Sequence, residues 1–149
     1  MADQLFRKYW RLYRTGSGNR IVQDELNELD THTRAEFTAA MKEVVVLGIR
    51  ETSKSIRGDI RQIEADGPDG TTYRLLFAQD GHVGQILLAV VLFEKRTQKT
   101  PDRQIELAEV RLEDWRRRRK ATDKVRAEVA RRAGRRQGAC RPVARGVDA

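Results

Sequence analysis

The sequence predicts an α+β fold: an N-terminal strand and a helical hairpin packed on a small antiparallel sheet, with a C-terminal helix. Three observations carry this expectation. Two apolar runs, residues 72–78 (TYRLLFA) and 83–95, flank a short polar turn and read as a β-hairpin. Apolar residues recur at helical spacing ahead of that hairpin, from Val22 to Val45. They do so again behind it, from Ile105 to Trp115. Helices segregated from consecutive strands mark the α+β class.

Each element has its own signal. Residues 5–14 (LFRKYWRLYR) are rich in aromatics and predict the first strand. Residues 15–19 (TGSGN) form a turn cluster. Val22, Leu26 and Leu29 then share a helical face. Thr33-Arg34-Ala35-Glu36 has the capping-box pattern, which predicts a second helix start at Thr33. Phe37, Met41, Val44 and Val45 form its stripe, and Gly48 is its stop. Residues 49–58 are polar and basic and read as a hinge. A short strand is expected over residues 59–65. Gly67-Pro68-Asp69-Gly70 is the strongest turn signal in the chain. The strand over 72–78 ends in the turn Gln79-Asp80-Gly81. The nearly all-apolar strand over 83–95 should be central.

Thr100 suits an N-cap, Pro101 the first helical position and Asp102 the positive helix end. Ile105, Ala108, Leu112 and Trp115 share one face, with Trp115 as core anchor. From Gly134 on, Arg, Gly, Ala and Pro occur without periodicity, which predicts a disordered tail. The expected division is a folded domain over residues 1–120, then a basic helical extension and disordered tail over 121–149.

Composition excludes several function classes. The chain has 149 residues and a formal net charge of +8, which points to a polyanionic partner. The charge is uneven. Residues 1–110 carry 16 Lys/Arg against 17 Asp/Glu, and residues 111–149 carry 14 against 5. The basic balance is thus no evidence that the folded core itself binds nucleic acid. Cys140 is the lone cysteine and His32 and His82 the only histidines, so no metal and no cofactor are expected. His32 reads as a helix-start residue and His82 as a turn residue. The N-terminus lacks a signal-peptide core and no apolar run is long enough to span a bilayer. A cytoplasmic location without a membrane partner is the expectation.

The chemistry concentrates where the 83–95 strand ends. Lys95, Arg96 and Lys99 follow an apolar run and directly precede a helix start. Fixed cations there, with helix amides and dipole, suit a phosphate. In the preceding strand, alternation sets Tyr73, Leu75 and Phe77 on one face and Arg74 on the other. If the apolar set faces the helices, Arg74 lies on an open face. Its guanidinium would grip a phosphate there with paired hydrogen bonds. The basic run 116–120 and the later arginines would meet RNA or DNA phosphates, or only solubilise the chain.

These stretches carry a resemblance. The element order, with Ser55-Ile56-Arg57-Gly58-Asp59-Ile60, Tyr73-Arg74-Leu75-Leu76-Phe77 and residues 93–101 (FEKRTQKTP) followed by Ile105-Glu106-Leu107-Ala108, resembles the RelE/ParE superfamily of toxin–antitoxin toxins. The detail is most similar to its phage-derived, HigB-like branch, over residues 5–119. The resemblance implies a RelE-like fold and a metal-independent, ribosome-dependent endoribonuclease that cuts mRNA and inhibits translation. It implies a cognate helix-turn-helix antitoxin, mRNA on the ribosome as substrate, and operator DNA contacted only through the antitoxin complex.

Such cleavage needs a base for the 2′-proton, cations for the phosphorane charge and an acid for the 5′-oxygen. Arg74, Lys95 and Lys99 match the family pattern, and either lysine would serve as acid if burial beside other cations lowers its pKa. Glu64 departs from that pattern, which carries an arginine nearby where this chain reads Gln62-Ile63-Glu64. Glu64 either faces Arg74 and acts as base, or neutralises a cation and weakens phosphate binding. Arg61 falls on the opposite face, so Lys54 and Arg57 are the substitute phosphate contacts, with Arg96. The departure keeps two alternatives open: a ParE-like inhibitor of DNA gyrase, and a catalytically degenerate relative that binds nucleic acid or a partner.

Overall fold

A computed structural model describes residues 7–145, and for 137–145 the backbone alone. It is an α+β fold with one five-stranded sheet in the order β1-β5-β4-β3-β2. The elements run β1 (Tyr9–Leu12), α1 (Ile21–Glu28), α2 (Thr31–Leu47), α3 (Ile49–Thr52), β2 (Lys54–Arg57), β3 (Ile60–Asp66), β4 (Thr72–Asp80), β5 (Ile86–Glu94) and α4 (Asp102–Arg145). Strands β2 to β5 pair antiparallel, while β1 joins the edge of β5 in parallel. Leu5 and Phe6, at the start of the predicted first strand, lie outside the described residues. Among the described residues no helix is long and apolar enough to cross a membrane.

The sheet is buried on both faces. On β4, Leu75, Leu76, Phe77 and Ala78 are fully inaccessible, and so are Leu87 to Val90 on β5. Each large side chain of this kind stabilises the fold by about 1.5–3 kcal/mol. Helix α2 covers the Phe77 face. Trp10 tilts against Phe77 with ring centroids 5.0 Å apart and donates its indole N–H to the Met41 carbonyl at 2.8 Å. The first turns of α4 cover the other face through Ile105, Ala108 and Leu112, all buried, and through half-buried Trp115. A β-bulge places Val90 as an extra residue between the pairs Leu76–Val91 and Phe77–Ala89. The Val90 carbonyl accepts from Arg111 of α4 at 2.7 Å.

Several boundaries moved, each for a tertiary reason. The second helix begins at Thr31, not at Thr33, because Asp30 is its N-cap and accepts from the Thr33 amide at 3.1 Å. Thr33 is fully buried and also donates its hydroxyl to Asp30. Gly48 does close this helix, in a backbone conformation (φ 104°) that side chains resist. The stretch read as a hinge holds a short helix and an edge strand, α3 and β2. Strand β4 runs on through Asp80, so the hairpin turn falls at 81–85 rather than 79–81. Asp80 is buried there and accepts the Trp115 indole N–H at 3.0 Å.

Helix α4 also starts differently from expectation. Thr100 is buried and donates its hydroxyl to Gln62 at 2.6 Å. The first helical carbonyl is that of Pro101, which accepts from Ile105 at 3.2 Å. Pro101 therefore precedes the helix instead of opening it. At its far end the backbone of α4 continues through Gly134 to Arg145, and residues 146–149 of the tail expected from Gly134 on lie outside the described residues. The chain divides into two compact units between Trp115 and Arg116.

Candidate functional site

Strand pairing builds the site. Glu64 of β3 lies directly opposite Arg74 of β4, and Arg74 directly opposite Phe93 of β5. Directly opposed residues share a face at close range, so the sheet itself brings the carboxylate to the guanidinium. Arg74 Nε donates to Glu64 Oε1 at 3.2 Å, and Lys95 Nζ lies 3.9 Å from the same oxygen. Gln62 Nε2 donates to it as well, at 3.3 Å. Lys95 is held in register by its backbone, whose N–H bonds to the Thr72 carbonyl at 2.7 Å.

The expectation that Arg74 occupies an open face is corrected. Its side chain is only 2 % exposed, because α4 and the segment entering it cover that face. Arg74 Nη2 donates to the Gln98 carbonyl. Its Nη1 is buried with no hydrogen-bond partner among the described residues. Taking one arginine out of water costs several kcal/mol, less than the summed burial of its apolar neighbours on β4. The strand therefore tolerates it.

The segment leading into α4 is tied down at two points. The Gln98 carbonyl rests on Arg74 and the Thr100 hydroxyl on Gln62. Lys99 stands between these anchors with an exposed side chain. That side chain makes no hydrogen bond or ion pair among the described residues. Residues Lys95 to Gln98 also line a shallow groove of about 420 Å³ with Thr71, Thr72 and their turn. The groove includes Lys95 and Arg96 but not Glu64, Arg74 or Lys99.

The structure thus brings Glu64, Arg74 and Lys95 together, with Lys99 next to the anchors that hold the loop. It does not bring the other candidates in. Arg96 is 80 % exposed and pairs with Glu94 at 3.5 Å. Arg57 of β2 turns to Glu109 of α4, with Nε 3.0 Å from Oε1. That hydrogen bond raises its pKa further, so Arg57 stays charged and is paired with Glu109 at the surface. Lys54 is exposed on edge strand β2, opposite Gln62. Arg61 does lie on the other face from Glu64, and its guanidinium bonds Ser53 at 2.8 Å. His82 lies in the 81–85 turn and His32 in the first turn of α2.

Sequence reasoning missed Gln62 and Gln98. Gln62 is buried and links Thr100 to Glu64, so it orients the carboxylate. Alternation placed it on the Glu64 face, and a polar residue there was the available signal. Gln98 acts through its carbonyl, which no side-chain pattern reveals. At the α4 N-terminus the first turn carries Asp102. That carboxylate complements the dipole itself and competes with any external anion.

The fold and this polar cluster define a small α+β protein with a cation–carboxylate site at the exit of its central strand. Residues 24–113 match the family described as phage derived protein Gp49-like (DUF891). The chain belongs to that family, which is associated with RelE-type, toxin-like proteins. No curated protein matches the chain significantly.

Proposed function

We propose that this protein is the toxin of a toxin–antitoxin pair, and that it arrests translation by cutting mRNA on the ribosome in the manner of the HigB-like toxins. One observation carries the reading: Glu64 Oε1 lies within 4 Å of both Arg74 and Lys95. Cleavage by transesterification moves two protons. The 2′-oxygen gives its proton to a base and attacks the adjacent phosphorus. The 5′-oxygen leaves with a proton from an acid, and a cyclic phosphate remains. Glu64 is 40 % exposed and held by Gln62 and Arg74, so it serves as base. Lys95, 25 % exposed, stabilises the phosphorane. Lys95, the partly buried lysine beside Arg74, also supplies the acid proton, and exposed Lys99 contacts the phosphate. Arg74 is the positioning residue that fixes Glu64 and the Gln98 carbonyl.

A second reading rests on the same contacts. Glu64 engages both cations, which would leave a toxin of the gyrase-inhibiting type with no nuclease step, or a degenerate binding relative. A short pulse of expression separates these. Mapping of RNA ends should reveal new mRNA cuts that disappear in Glu64→Gln with Lys95→Ala, two accessible positions whose variants should fold. A matched helix-turn-helix antitoxin should restore growth. DNA breaks without new RNA ends would establish the gyrase reading instead, and harmless expression of the wild-type chain the degenerate one.

A further inference from the structure

We propose that the helical segment 116–136 is an RNA-binding arm that grips phosphates and unstacked bases through its arginines. This goes beyond the nuclease reading, because binding here is separate from cleavage. The segment holds eleven Lys/Arg against two Asp/Glu. Lys120, Lys124, Arg131 and Arg135 fall within about 60° of one another on a helix of 3.6 residues per turn, and span about 22 Å along it. Lys120, Lys124, Arg126, Arg135 and Arg136 are exposed, and none makes a hydrogen bond or ion pair among the described residues. Arg131 pairs only with its helix neighbour Glu128, at 2.8 Å on the surface, a contact that exchanges readily.

The chemistry of the segment selects its partner. A helix lying on a lipid surface needs an apolar face of Trp, Phe or Leu. Residues 116–136 contain none of these, and the large apolar side chains there are Val125 and Val129, about 60 % exposed. A polyanion therefore fits better than a bilayer. Nine of the eleven cations are arginine. Arginine forks onto phosphate and also stacks on base faces. Unstacked bases are offered by RNA loops and single strands, whereas duplex DNA keeps its bases stacked. The segment holds no Asn or Gln, so base-edge readout is limited to arginine or lysine on guanine. The binding should follow RNA shape and charge more than sequence.

The test uses the full chain carrying Glu64→Gln and Lys95→Ala, so that cleavage does not enter and its failure would leave the nuclease reading untouched. Fluorescence anisotropy is read with an RNA hairpin bearing an open loop and with duplex DNA of equal charge. The hairpin should bind at least about tenfold more tightly than the duplex near physiological salt. Adding Lys120→Glu, Lys124→Glu and Arg135→Glu should weaken RNA binding at least about tenfold. It should also lower the slope of log affinity against log salt by about 2, near 0.7 per lost phosphate contact. Helical circular dichroism should stay unchanged. Adding Arg126→Lys, Arg135→Lys and Arg136→Lys instead should keep the charge and shrink the preference for RNA. Equal or tighter binding to duplex DNA, or RNA affinity unaltered by the charge reversals, would overturn the proposal.

Discussion

Strand β4 buries two charged side chains on one face, Arg74 near its start and Asp80 at its end. They lie on the same surface under the same helix, yet their surroundings differ. Asp80 accepts the indole N–H of Trp115, and the pair ties the last packed turn of α4 to the sheet. Arg74 instead meets Glu64, whose side chain is 40 % exposed, and through it Lys95. One arginine nitrogen, Nη1, has no partner among the described residues. Burial alone does not separate a structural charge from a functional one. What separates them here is whether the charge is tied into the helix–sheet packing or opens through its partners to solvent.

The largest expected effect falls at the Arg74 end. Arg74→Met should lower RNA cleavage about 10²-fold, the scale for misplacing a catalytic group by about an ångström. Stability should fall by no more than about 1–2 kcal/mol, because the carboxylate left behind, Glu64, is 40 % exposed and regains water. Cleavage assays and denaturant midpoints on one preparation check both halves. A large stability loss with intact cleavage per folded molecule would make Arg74 another Asp80 and break the contrast.

Asp80→Ala should behave in the opposite way. It leaves the Trp115 N–H without its acceptor, at a cost of about 1–3 kcal/mol, and spares cleavage per folded molecule. Chemical denaturation followed by Trp fluorescence reads the first, and activity normalised to folded protein the second.

The smallest effect sharpens the rule at a third half-buried charge. Glu25 of α1 has its pKa raised, first by burial, with Arg111 opposing, and its Oε2 has no partner among the described residues. The native state therefore holds this proton when the unfolded state has released it. Stability should fall as pH rises from the ordinary value of 4.5 towards the raised one. Glu25→Gln should flatten that slope without altering cleavage. An unchanged pH profile of the denaturation midpoint would show that Glu25 is as well solvated as an exposed carboxylate.

The strands and helices were legible where pattern and burial agree. The apolar run of β5 and the stripe Ile105, Ala108, Leu112 form local periodicities, and a local period needs only one segment to be read. The Glu64–Arg74 pairing was half legible: alternation indicated the face, and only register decided that the two residues oppose. Positions where a side chain serves a distant partner misled. Asp80 has turn chemistry but bonds Trp115, Thr100 has cap chemistry but bonds Gln62, and Arg57 has phosphate chemistry but bonds Glu109. In each case a contact across the fold outcompeted the local preference, which is worth no more than such a bond.

The sequence by itself determined the α+β class, the central apolar strand, the cation cluster at its exit and the uneven charge between the two parts of the chain. These follow from spacing and composition, which folding cannot alter. Only the tertiary structure decided that α4 covers the Arg74 face, that Glu64 gathers Arg74 and Lys95, and that Gln62 and the Gln98 carbonyl hold the loop around Lys99. Those facts depend on strand register and on which buried polar groups find each other, and neither is encoded in any one segment.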